Sequence, residues 1–268
     1  MMPGSLLQTL RGQKPLVHHI TNNVTVNDCA NATLCVGGLP VMAYAPEEVA
    51  EMVAAAGALV LNIGTLSVGQ VEAMVVAGRR AKDLGIPVVL DPVGVGATRL
   101  RTESAQRILT AVQPDIIKGN QAEISILAGA GGQIRGVESL GEYRGMAATA
   151  ARLAKKNHCL VVVSGVEDIV TDGQRTTLVQ NGHPLLGAVV GTGCMVASVC
   201  GCFAAVAKED LLLGCTAALA VFGLAGELAA QAPGVAGPGT FKAALFDALA
   251  TFTPAALTAG LRARELTN

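Results

Sequence analysis

From residue 58 onward, short apolar runs alternate with longer stretches whose apolar positions repeat at helical spacing. Residues 58–63 (ALVLNI) form a continuous apolar run that ends at Gly64, which is typical of a strand buried on both faces. In chain order, the pattern then predicts a helix at 68–84, a strand at 88–90, a helix at 102–112, a strand at 115–118, a helix at 145–156 and a strand at 159–163. Successive strand–helix units of this kind predict an α/β fold with a parallel sheet and right-handed crossovers.

The last hundred residues depart from this alternation. Residues 169–171 and 176–179 flank an Asp-Gly pair and predict a short antiparallel hairpin. After Gly191 the pattern is helical almost to the end, with a loop at the Gly- and Pro-rich segment 232–239. No linker, internal repeat or low-complexity block divides the chain, so we expect one domain over residues 1–268.

Composition narrows the class of protein. Hydrophobic residues make up 51% of the 268-residue chain but aromatic residues only 3%, a profile typical of closely packed helices on a buried sheet. The formal net charge of −1 and the lack of a basic run argue against binding to nucleic acid or to an anionic membrane surface. The seven cysteines form no CxxC pair and lie mostly among apolar residues, so we interpret them as reduced thiols of a cytoplasmic protein.

Two apolar stretches raise the question of a membrane span. Residues 192–207 and 211–226 are rich in Ala and Gly and are shorter than the ~20 residues needed to cross a bilayer. Residues 1–11 also lack the long apolar core and the cleavage site of a secretory signal. We therefore expect both apolar stretches to be core helices and the protein to have no membrane partner.

Polar residues follow the predicted strands at the points where the strands end. These strand ends carry Gly64-Thr65, Asp91-Pro92, Lys118-Gly119-Asn120 and Ser164-Gly165. In a parallel sheet the carboxyl ends of the strands lie along one edge, and ligands bind outside that edge. A carboxylate, a cation, an amide and a hydroxyl are thus expected to converge on one site.

The segment Gly191-Thr192-Gly193-Cys194 precedes an uninterrupted apolar run and predicts the start of a buried helix. The first turn of a helix presents unpaired N–H groups and the positive end of the helix dipole, so this turn is a candidate anion site. Cys194 would lie at that positive end, where the pKa of its thiol is expected to fall. A turn without any ligand is the alternative, because glycines often mark only the end of an element.

Asn120-x-x-Glu123 opens a predicted helix directly after a strand. The structural interpretation is a capping box, in which Asn120 and Glu123 bond reciprocally to the backbone. The functional interpretation is that Glu123 and Asp91 hold a magnesium ion through water, since Mg²⁺ takes one or two carboxylates together with water and phosphate oxygens. Lys118 would then meet a phosphate as a point charge.

These residues belong to a longer series of segments through which the chain resembles the hydroxyethylthiazole kinase family over nearly its whole length. The segments are LVHHITNN (16–23), PVMAYA (40–45), EEV (47–49), GALVLNIGT (57–65), LDPVGVGAT (90–98), RTESA (101–105), GNQAEI (119–124), SG (164–165), NGH (181–183) and GTGC (191–194). Their common order and spacing make the resemblance far more specific than one Gly-rich loop.

The resemblance implies a ribokinase-like fold, with a mostly parallel central sheet flanked by helices on both faces. It implies phosphorylation of the hydroxyl of 4-methyl-5-(2-hydroxyethyl)thiazole, with ATP as co-substrate and Mg²⁺ as cofactor, in a thiazole salvage step of thiamine biosynthesis. It also implies a homotrimer whose active sites lie at subunit interfaces.

The same resemblance assigns roles to individual residues. It implies ATP binding by Lys118, Ser164 and Gly193, a metal site at Asp91 and Glu123, thiazole binding by Asn22, Met42 and Gly191, and a catalytic role for Cys194, which would accept or orient the proton of the substrate hydroxyl. Bacterial relatives often have arginine at the position of Lys118, so the charge is kept here but a bidentate phosphate contact is not. Ser164 stands where threonine is also found, and Cys194 stands where ribokinase-like sugar kinases usually carry aspartate.

Two other functions stay open at this point. The first is a ribokinase-like kinase acting on the hydroxymethylpyrimidine half of thiamine, against which Cys194 and the ITNN and PVMAYA segments argue. The second is a non-catalytic thiazole-binding protein, which would have no need of residues for a metal and a triphosphate. Individually, Met42 and Cys194 also suit a packed core, and Asn22 suits a helix cap.

Overall fold

The computed structural model describes residues 2–129 and 140–266 of the chain. The strands in these residues are β1 (Leu16–Ile20), β2 (Leu39–Met42), β3 (Ala58–Asn62), β4 (Val88–Asp91), β5 (Ile116–Asn120), β6 (Leu160–Ser164), β7 (Asp168–Thr171), β8 (Thr176–Val179) and β9 (Ala263–Glu265). They form one sheet with the order β2-β1-β3-β4-β5-β6-β7-β8-β9. Neighbours from β2 to β6 pair in parallel, and those from β6 to β9 pair antiparallel.

Helices cover both faces of this sheet. They are α1 (Pro3–Gln13), α2 (Val26–Val36), α3 (Val49–Ala54), α4 (Val68–Asp83), α5 (Arg99–Val112), α6 (Gln121–Leu127), α7 (Leu140–Asn157), α8 (Thr192–Val206), α9 (Leu211–Gln231), α10 (Pro238–Thr251), α11 (Pro254–Gly260) and a short 3-10 helix, Pro184–Ala188. One hydrophobic core lies between the sheet and helices α1, α2 and α8 to α11. A second hydrophobic core lies on the other face of the sheet, between it and helices α3, α4, α5 and α7. Val60 lies in the first core and its neighbours Leu59 and Leu61 in the second, as strand geometry requires. The predicted α/β class is confirmed.

The elements predicted from residue 58 onward are present with small shifts at their ends. The hairpin predicted around Asp172-Gly173 is formed by β7 and β8, which pair Thr171 with Thr176. The helix predicted to begin at residue 102 begins instead at Arg99. Thr98 explains the earlier start, because its hydroxyl caps the helix by accepting a hydrogen bond from the Arg101 N–H at 3.2 Å.

The described residues 2–57 contain β1, β2 and three helices for which the apolar pattern made no prediction. In β1 the apolar run is interrupted by His18 and His19, yet both imidazoles are fully buried. Each bonds to a backbone carbonyl, His18 Nε2 to Ala43 at 2.6 Å and His19 Nδ1 to Val17 at 3.0 Å. The other ring nitrogen of His18, Nδ1, has no hydrogen-bond partner in the described part of the chain. A hydrophobicity pattern does not predict the burial of such polar rings.

Helix α9 is longer than the apolar stretch at 211–226 predicted. It has 21 residues and a mean hydropathy of 1.9 over its most apolar window, so among the described helices it is long and apolar enough to cross a bilayer. However, 78% of that window is buried inside the fold. Its packing against α8 and α10 identifies it as a core helix, as expected.

Candidate active site

Three neighbouring strands end at one edge of the sheet and bring their polar residues together there. Asn62 ends β3 and is the register partner of Asp91, which ends β4. Lys118 lies on the adjacent strand β5, and its Nζ is 3.9 Å from Asp91 Oδ1. All three side chains are almost completely buried. The predicted convergence of Asp91 and Lys118 at the carboxyl edge is therefore present in the structure.

A chain of hydrogen bonds connects Asp91 to Cys194 at the start of α8. Asn62 Nδ2 donates to Asp91 Oδ2 at 2.7 Å, and Asn22 Nδ2 donates to Asn62 Oδ1 at 2.9 Å. The same Asn22 nitrogen lies 3.4 Å from Cys194 Sγ. We call Asn22, Asn62, Asp91, Lys118 and Cys194 the polar network. Asn62 was missed at the sequence level because it lies inside an apolar run, and only its place at a strand end could have indicated it.

Burial and the interactions between neighbouring charges determine the pKa values of the ionisable groups in the polar network. Burial raises the pKa of Asp91 to about 7, and the neighbouring Lys118 ammonium offsets only part of that rise. For Lys118, burial alone would lower the pKa, but the carboxylates of Asp91 and Glu123 outweigh it and the net direction is upward. Asp91 Oδ1 has no hydrogen-bond partner in the described part of the chain. A buried carboxylate with an open oxygen favours a further cation.

Cys194 does not have the lowered pKa that its position at a helix N-terminus predicted. Burial raises the pKa of its thiol, and the carboxylate of Asp91 raises it further. Hydrogen bonds and the charge of Lys118 act in the opposite direction but are outweighed. The prediction was wrong because it counted the helix dipole and left out the burial of the thiol and the carboxylate of Asp91. The thiol is therefore the dominant form at neutral pH.

Glu123 forms the capping box at the start of α6 and also links it to the turn after β4. Asn120 Oδ1 accepts from the Glu123 N–H at 2.9 Å, and Glu123 Oε2 accepts from the Asn120 N–H at 2.8 Å. Its other oxygen, Oε1, accepts from the N–H of Gly94 at 2.8 Å. Both carboxylate oxygens are thus engaged, so a glutamine here would keep one acceptor and oppose the second N–H with its own NH₂ group.

The donor set near Asp91 suits a water-rich magnesium site better than a protein cage. Within residues 2–129 and 140–266, no group of three or more His, Cys, Asp or Glu side chains is arranged to hold a metal. Asp91 Oδ1 is open, and each oxygen of Glu123 retains a second lone pair beyond its backbone bond. Mg²⁺ usually binds one or two carboxylates and completes its shell with water and phosphate. These residues therefore fit Mg²⁺.

The Gly-rich turn forms the N-terminus of α8, directly opposite Lys118. Gly191 caps the helix with φ +93°, and a Cβ there would lie 2.3 Å from Thr25 Cγ2, so the turn requires glycine. A Cβ on Gly193 would lie 3.1 Å from Lys118 Nζ. The ammonium and the free N–H groups of the first turn thus present positive charge to one small space. This geometry suits an anion, so the turn stays the candidate anion site predicted from the sequence.

A cavity of about 550 Å³ extends from this turn toward the antiparallel strands, and we call it the large cavity. Its lining combines polar and apolar side chains. Polar ones come from Ser164, Asp168, Asn181, His183 and Thr192, and apolar ones from Val166, Pro184, Leu186, Val196, Leu219 and Phe222. Ser164 ends β6, and its hydroxyl lies 3.4 Å from the carbonyl of Gly119. The cavity therefore offers polar and apolar contacts beside the Gly-rich turn.

Asp168 lines the large cavity and was missed by sequence reasoning. It is partly buried, and its Oδ1 accepts from the N–H of Gly165 at 2.9 Å, which closes the turn between β6 and β7. Burial raises the pKa of this carboxyl to about 7. The available signal was the short spacing Gly165-x-x-Asp168, which is common in turns that need no ligand.

Met42 is placed at the same edge of the sheet but on its outermost strand. It ends β2 and is the register partner of His19 on β1, two residues before Thr21 and Asn22 begin the next loop. Its side chain is half-buried and packs against the core that contains α8. The structure thus brings Asn22, Asp91, Lys118, Gly193 and Cys194 close together, with Met42 toward the β2 side and Ser164 toward the large cavity.

Fold comparison defines the class of this protein. A ribokinase-like superfamily protein from Enterococcus faecalis superposes with a TM-score of 0.63 at 14% identity, covering 94% of this chain and 95% of its own. The protein therefore has the ribokinase-like fold, and its polar strand ends lie at the carboxyl edge of the parallel sheet.

Closer similarities define the family. The sequence pattern of the hydroxyethylthiazole kinase family matches residues 7–255. Hydroxyethylthiazole kinase of Methanosphaerula palustris is 57% identical over 262 residues, 98% of both chains, and that of Thermoanaerobacter pseudethanolicus is 57% identical over 94% of this chain and 96% of its own. The structure of hydroxyethylthiazole kinase from Pyrococcus horikoshii OT3 is 42% identical, with a TM-score of 0.91 over 99% of both chains. The chain belongs to the hydroxyethylthiazole kinase family, and it is an enzyme of the kinase class.

Proposed function

We propose that this protein transfers the γ-phosphoryl group of ATP to the hydroxyl of 4-methyl-5-(2-hydroxyethyl)thiazole, in the salvage of the thiazole half of thiamine. The observation that carries the proposal is the position of Lys118 Nζ, which lies beside Gly193 at the N-terminus of α8 and 3.9 Å from Asp91 Oδ1. Phosphoryl transfer depends mainly on positioning the reactants and on neutralising charge, and this small space concentrates the groups that do both.

The large cavity receives the nucleotide in this proposal. The triphosphate would lie beside Gly193 and Ser164, with the ammonium of Lys118 next to Gly193. The base would pack against the apolar side chains of Leu219 and Phe222. A volume of about 550 Å³ lies within the usual range for small-molecule sites.

Asp91 and Glu123 would hold Mg²⁺, mostly through water. When bound, the ion would neutralise charge on the phosphate oxygens that it contacts. The open Oδ1 of Asp91 supports this role, because the protein itself supplies that oxygen with no hydrogen-bond donor among the described residues. Glu123 would contribute at longer range, since both of its oxygens already accept backbone N–H groups.

The thiazole alcohol would bind between Asn22, Met42 and the backbone of Gly191, with its hydroxyl at Cys194. Because burial and Asp91 raise the pKa of the Cys194 thiol, little thiolate is present at neutral pH, and an orienting role suits this residue better than that of a general base. A thiol that accepts a hydrogen bond from the substrate hydroxyl would align the oxygen with the phosphorus. In a loose transition state the hydroxyl proton is lost late, so a strong base is not required.

We also propose a cytoplasmic homotrimer with its thiazole pockets between subunits. The side chains of Leu39 and Tyr44 support this, because they flank Met42 near the edge strand β2 and are 44% and 60% exposed. A second subunit would cover these apolar side chains and close the pocket on its outer side. Light scattering of the active protein tests the assembly, and a stable active monomer would overturn it.

Steady-state assays with two alcohols test the proposed reaction. ATP consumption is measured with the thiazole alcohol and with the hydroxymethylpyrimidine alcohol, each with and without Mg²⁺. We expect turnover that needs both Mg²⁺ and the thiazole alcohol. Preference for the pyrimidine alcohol would establish the rival kinase, and thiazole binding without turnover would establish a binding protein.

A further inference from the structure

The side chain of Arg101 connects the ends of two strands that carry the polar network. Arg101 lies in the first turn of α5, where Thr98 caps the helix. Its Nη1 donates to the carbonyls of Ile63 and Val93 at 2.9 and 2.8 Å, and its Nη2 donates to the carbonyl of Gly64 at 2.7 Å. One half-buried guanidinium therefore bonds to the turn after β3 and to the turn after β4.

Each of these turns leads directly to residues of the candidate site. Gly64 follows Asn62 closely, and its N–H donates to Asn62 Oδ1 at 2.9 Å. Asn62 in turn donates to Asp91. On the other side, Val93 precedes Gly94, whose N–H donates to Glu123 Oε1. The guanidinium of Arg101 thus bonds to the same turns whose N–H groups donate to Asn62 and Glu123.

Each of the two turns is closely packed against a neighbouring side chain. A Cβ on Gly64 would lie 2.8 Å from Asn22 Cβ, and a Cβ on Gly94, where φ is +72°, would lie 3.3 Å from Arg101 Cδ. Three carbonyls with two nitrogens require the planar fork of arginine. A lysine has one nitrogen on a flexible stem, so it can keep the charge but not the three bonds together.

We propose that Arg101 is a positioning residue for phosphoryl transfer. Its guanidinium fixes the separation of the turns after β3 and β4, and thereby the placement of Asn62, Asp91 and Glu123 relative to one another. This inference rests on the proposed function, because it assigns Arg101 to the geometry of that reaction. Arg101 touches neither substrate nor metal in this role and acts only through the two turns.

The test compares Arg101→Lys and Arg101→Gln with matched changes at Arg107. Arg107 lies on the same helix, and its guanidinium pairs with Glu72 at 2.6 Å on the protein surface. For each variant we would measure kcat per folded molecule, KM for both substrates, the Mg²⁺ concentration for half-maximal rate, and Tm. A displacement of about 1 Å at a reacting centre costs on the order of 10²-fold in rate, which sets the expected loss of kcat for Arg101→Lys.

We expect Arg101→Lys also to raise the half-saturating Mg²⁺ concentration several-fold, and Arg107→Lys to change neither quantity. A fall in Tm with unchanged kcat per folded molecule and unchanged Mg²⁺ dependence would overturn the positioning role. Failure of both Arg101 variants to fold would overturn it as well, since it would make Arg101 a determinant of folding. Assays of the wild-type protein distinguish failure of the proposed reaction from failure of the positioning role. An inactive wild type would contradict the proposed reaction itself. An active wild type whose Arg101 variants keep the same kcat and Mg²⁺ dependence would contradict only the role of Arg101.

Discussion

The polar network and the large cavity lie side by side at one edge of the sheet but are built in opposite ways. Four of the five side chains of the network are almost completely buried, Cys194 is partly buried, and each amide side chain has a partner within 3.0 Å. The cavity has a volume of about 550 Å³ and is lined by both polar and apolar side chains. Three members of the network lie on parallel strands, with Asn22 in the loop after β1 and Cys194 on α8, whereas the cavity is formed where the sheet changes to antiparallel pairing.

One carboxyl in each region, Asp91 in the polar network and Asp168 in the large cavity, illustrates this difference. Burial raises the pKa of both carboxyls to about 7, yet they face different surroundings. Asp91 has an open oxygen beside an ammonium, where a cation or a phosphate group could bind. Asp168 uses an oxygen to close a backbone turn. A raised pKa therefore identifies burial in both regions, and only the local partners distinguish a reactive site from a structural one.

Among the variants that test the difference between the polar network and the large cavity, we expect the largest effect for Asp91→Asn. The change removes the negative charge beside Lys118 and replaces one oxygen by an NH₂ group next to an ammonium. We expect kcat to fall on the order of 10²–10³-fold, because a preorganised electrostatic group is lost. Kinetics across a Mg²⁺ titration measure it, with the exposed Asp83→Asn as control. An unchanged rate and Mg²⁺ dependence would remove Asp91 from the site.

We expect alanine substitution to affect the two glycines of the turn differently. Gly191→Ala places a Cβ 2.3 Å from Thr25 at φ +93°, so we expect a loss of stability of about 1–3 kcal/mol. Gly193→Ala meets only the flexible end of Lys118, at 3.1 Å, and should fold normally. Its methyl group would nevertheless occupy the anion site, so we expect KM for ATP to rise at least tenfold. Urea denaturation and ATP kinetics on both variants check this, and equal effects on ATP binding would contradict it.

A smaller effect is expected at Cys194, where the choice is between a base and an orienting group. If the thiol orients the hydroxyl, Cys194→Ser should keep most of the activity and Cys194→Ala should lose about tenfold in kcat, below the usual range for general-base catalysis. The raised pKa of the thiol places thiolate formation above pH 9, and an orienting role predicts no rise in rate that tracks it. Equal losses in the Ser and Ala variants, together with such a rise, would establish the thiolate as the base.

Sequence reasoning predicted the positions of the polar strand ends better than those of the apolar cavity wall. Asp91, Lys118 and Ser164 were placed at the carboxyl edge because a polar residue at the end of an apolar run has a defined position in a parallel sheet. The wall residues Leu219 and Phe222 lie within a helix that is apolar all round, so nothing local marks the side chains that face a cavity. Asn62 and Arg101 act through partners distant in sequence, which a single chain without contacts cannot reveal.

The smallest predicted effect concerns Asp168 and the pH dependence of stability. In the unfolded chain an aspartate titrates near pH 3.9, whereas in the folded protein the pKa of Asp168 is about 7. The folded state thus binds more protons between these values, and the contribution of Asp168 makes stability fall as pH rises from about 4 to about 7.

Asp168→Asn keeps the acceptor for the Gly165 N–H but cannot ionise. Allowing for the partial exposure of the side chain, the variant should gain about 1–2 kcal/mol on the wild type between pH 5 and pH 8. Urea denaturation at both pH values measures the difference, and a constant difference would show that Asp168 titrates in the folded protein as it does in the unfolded chain.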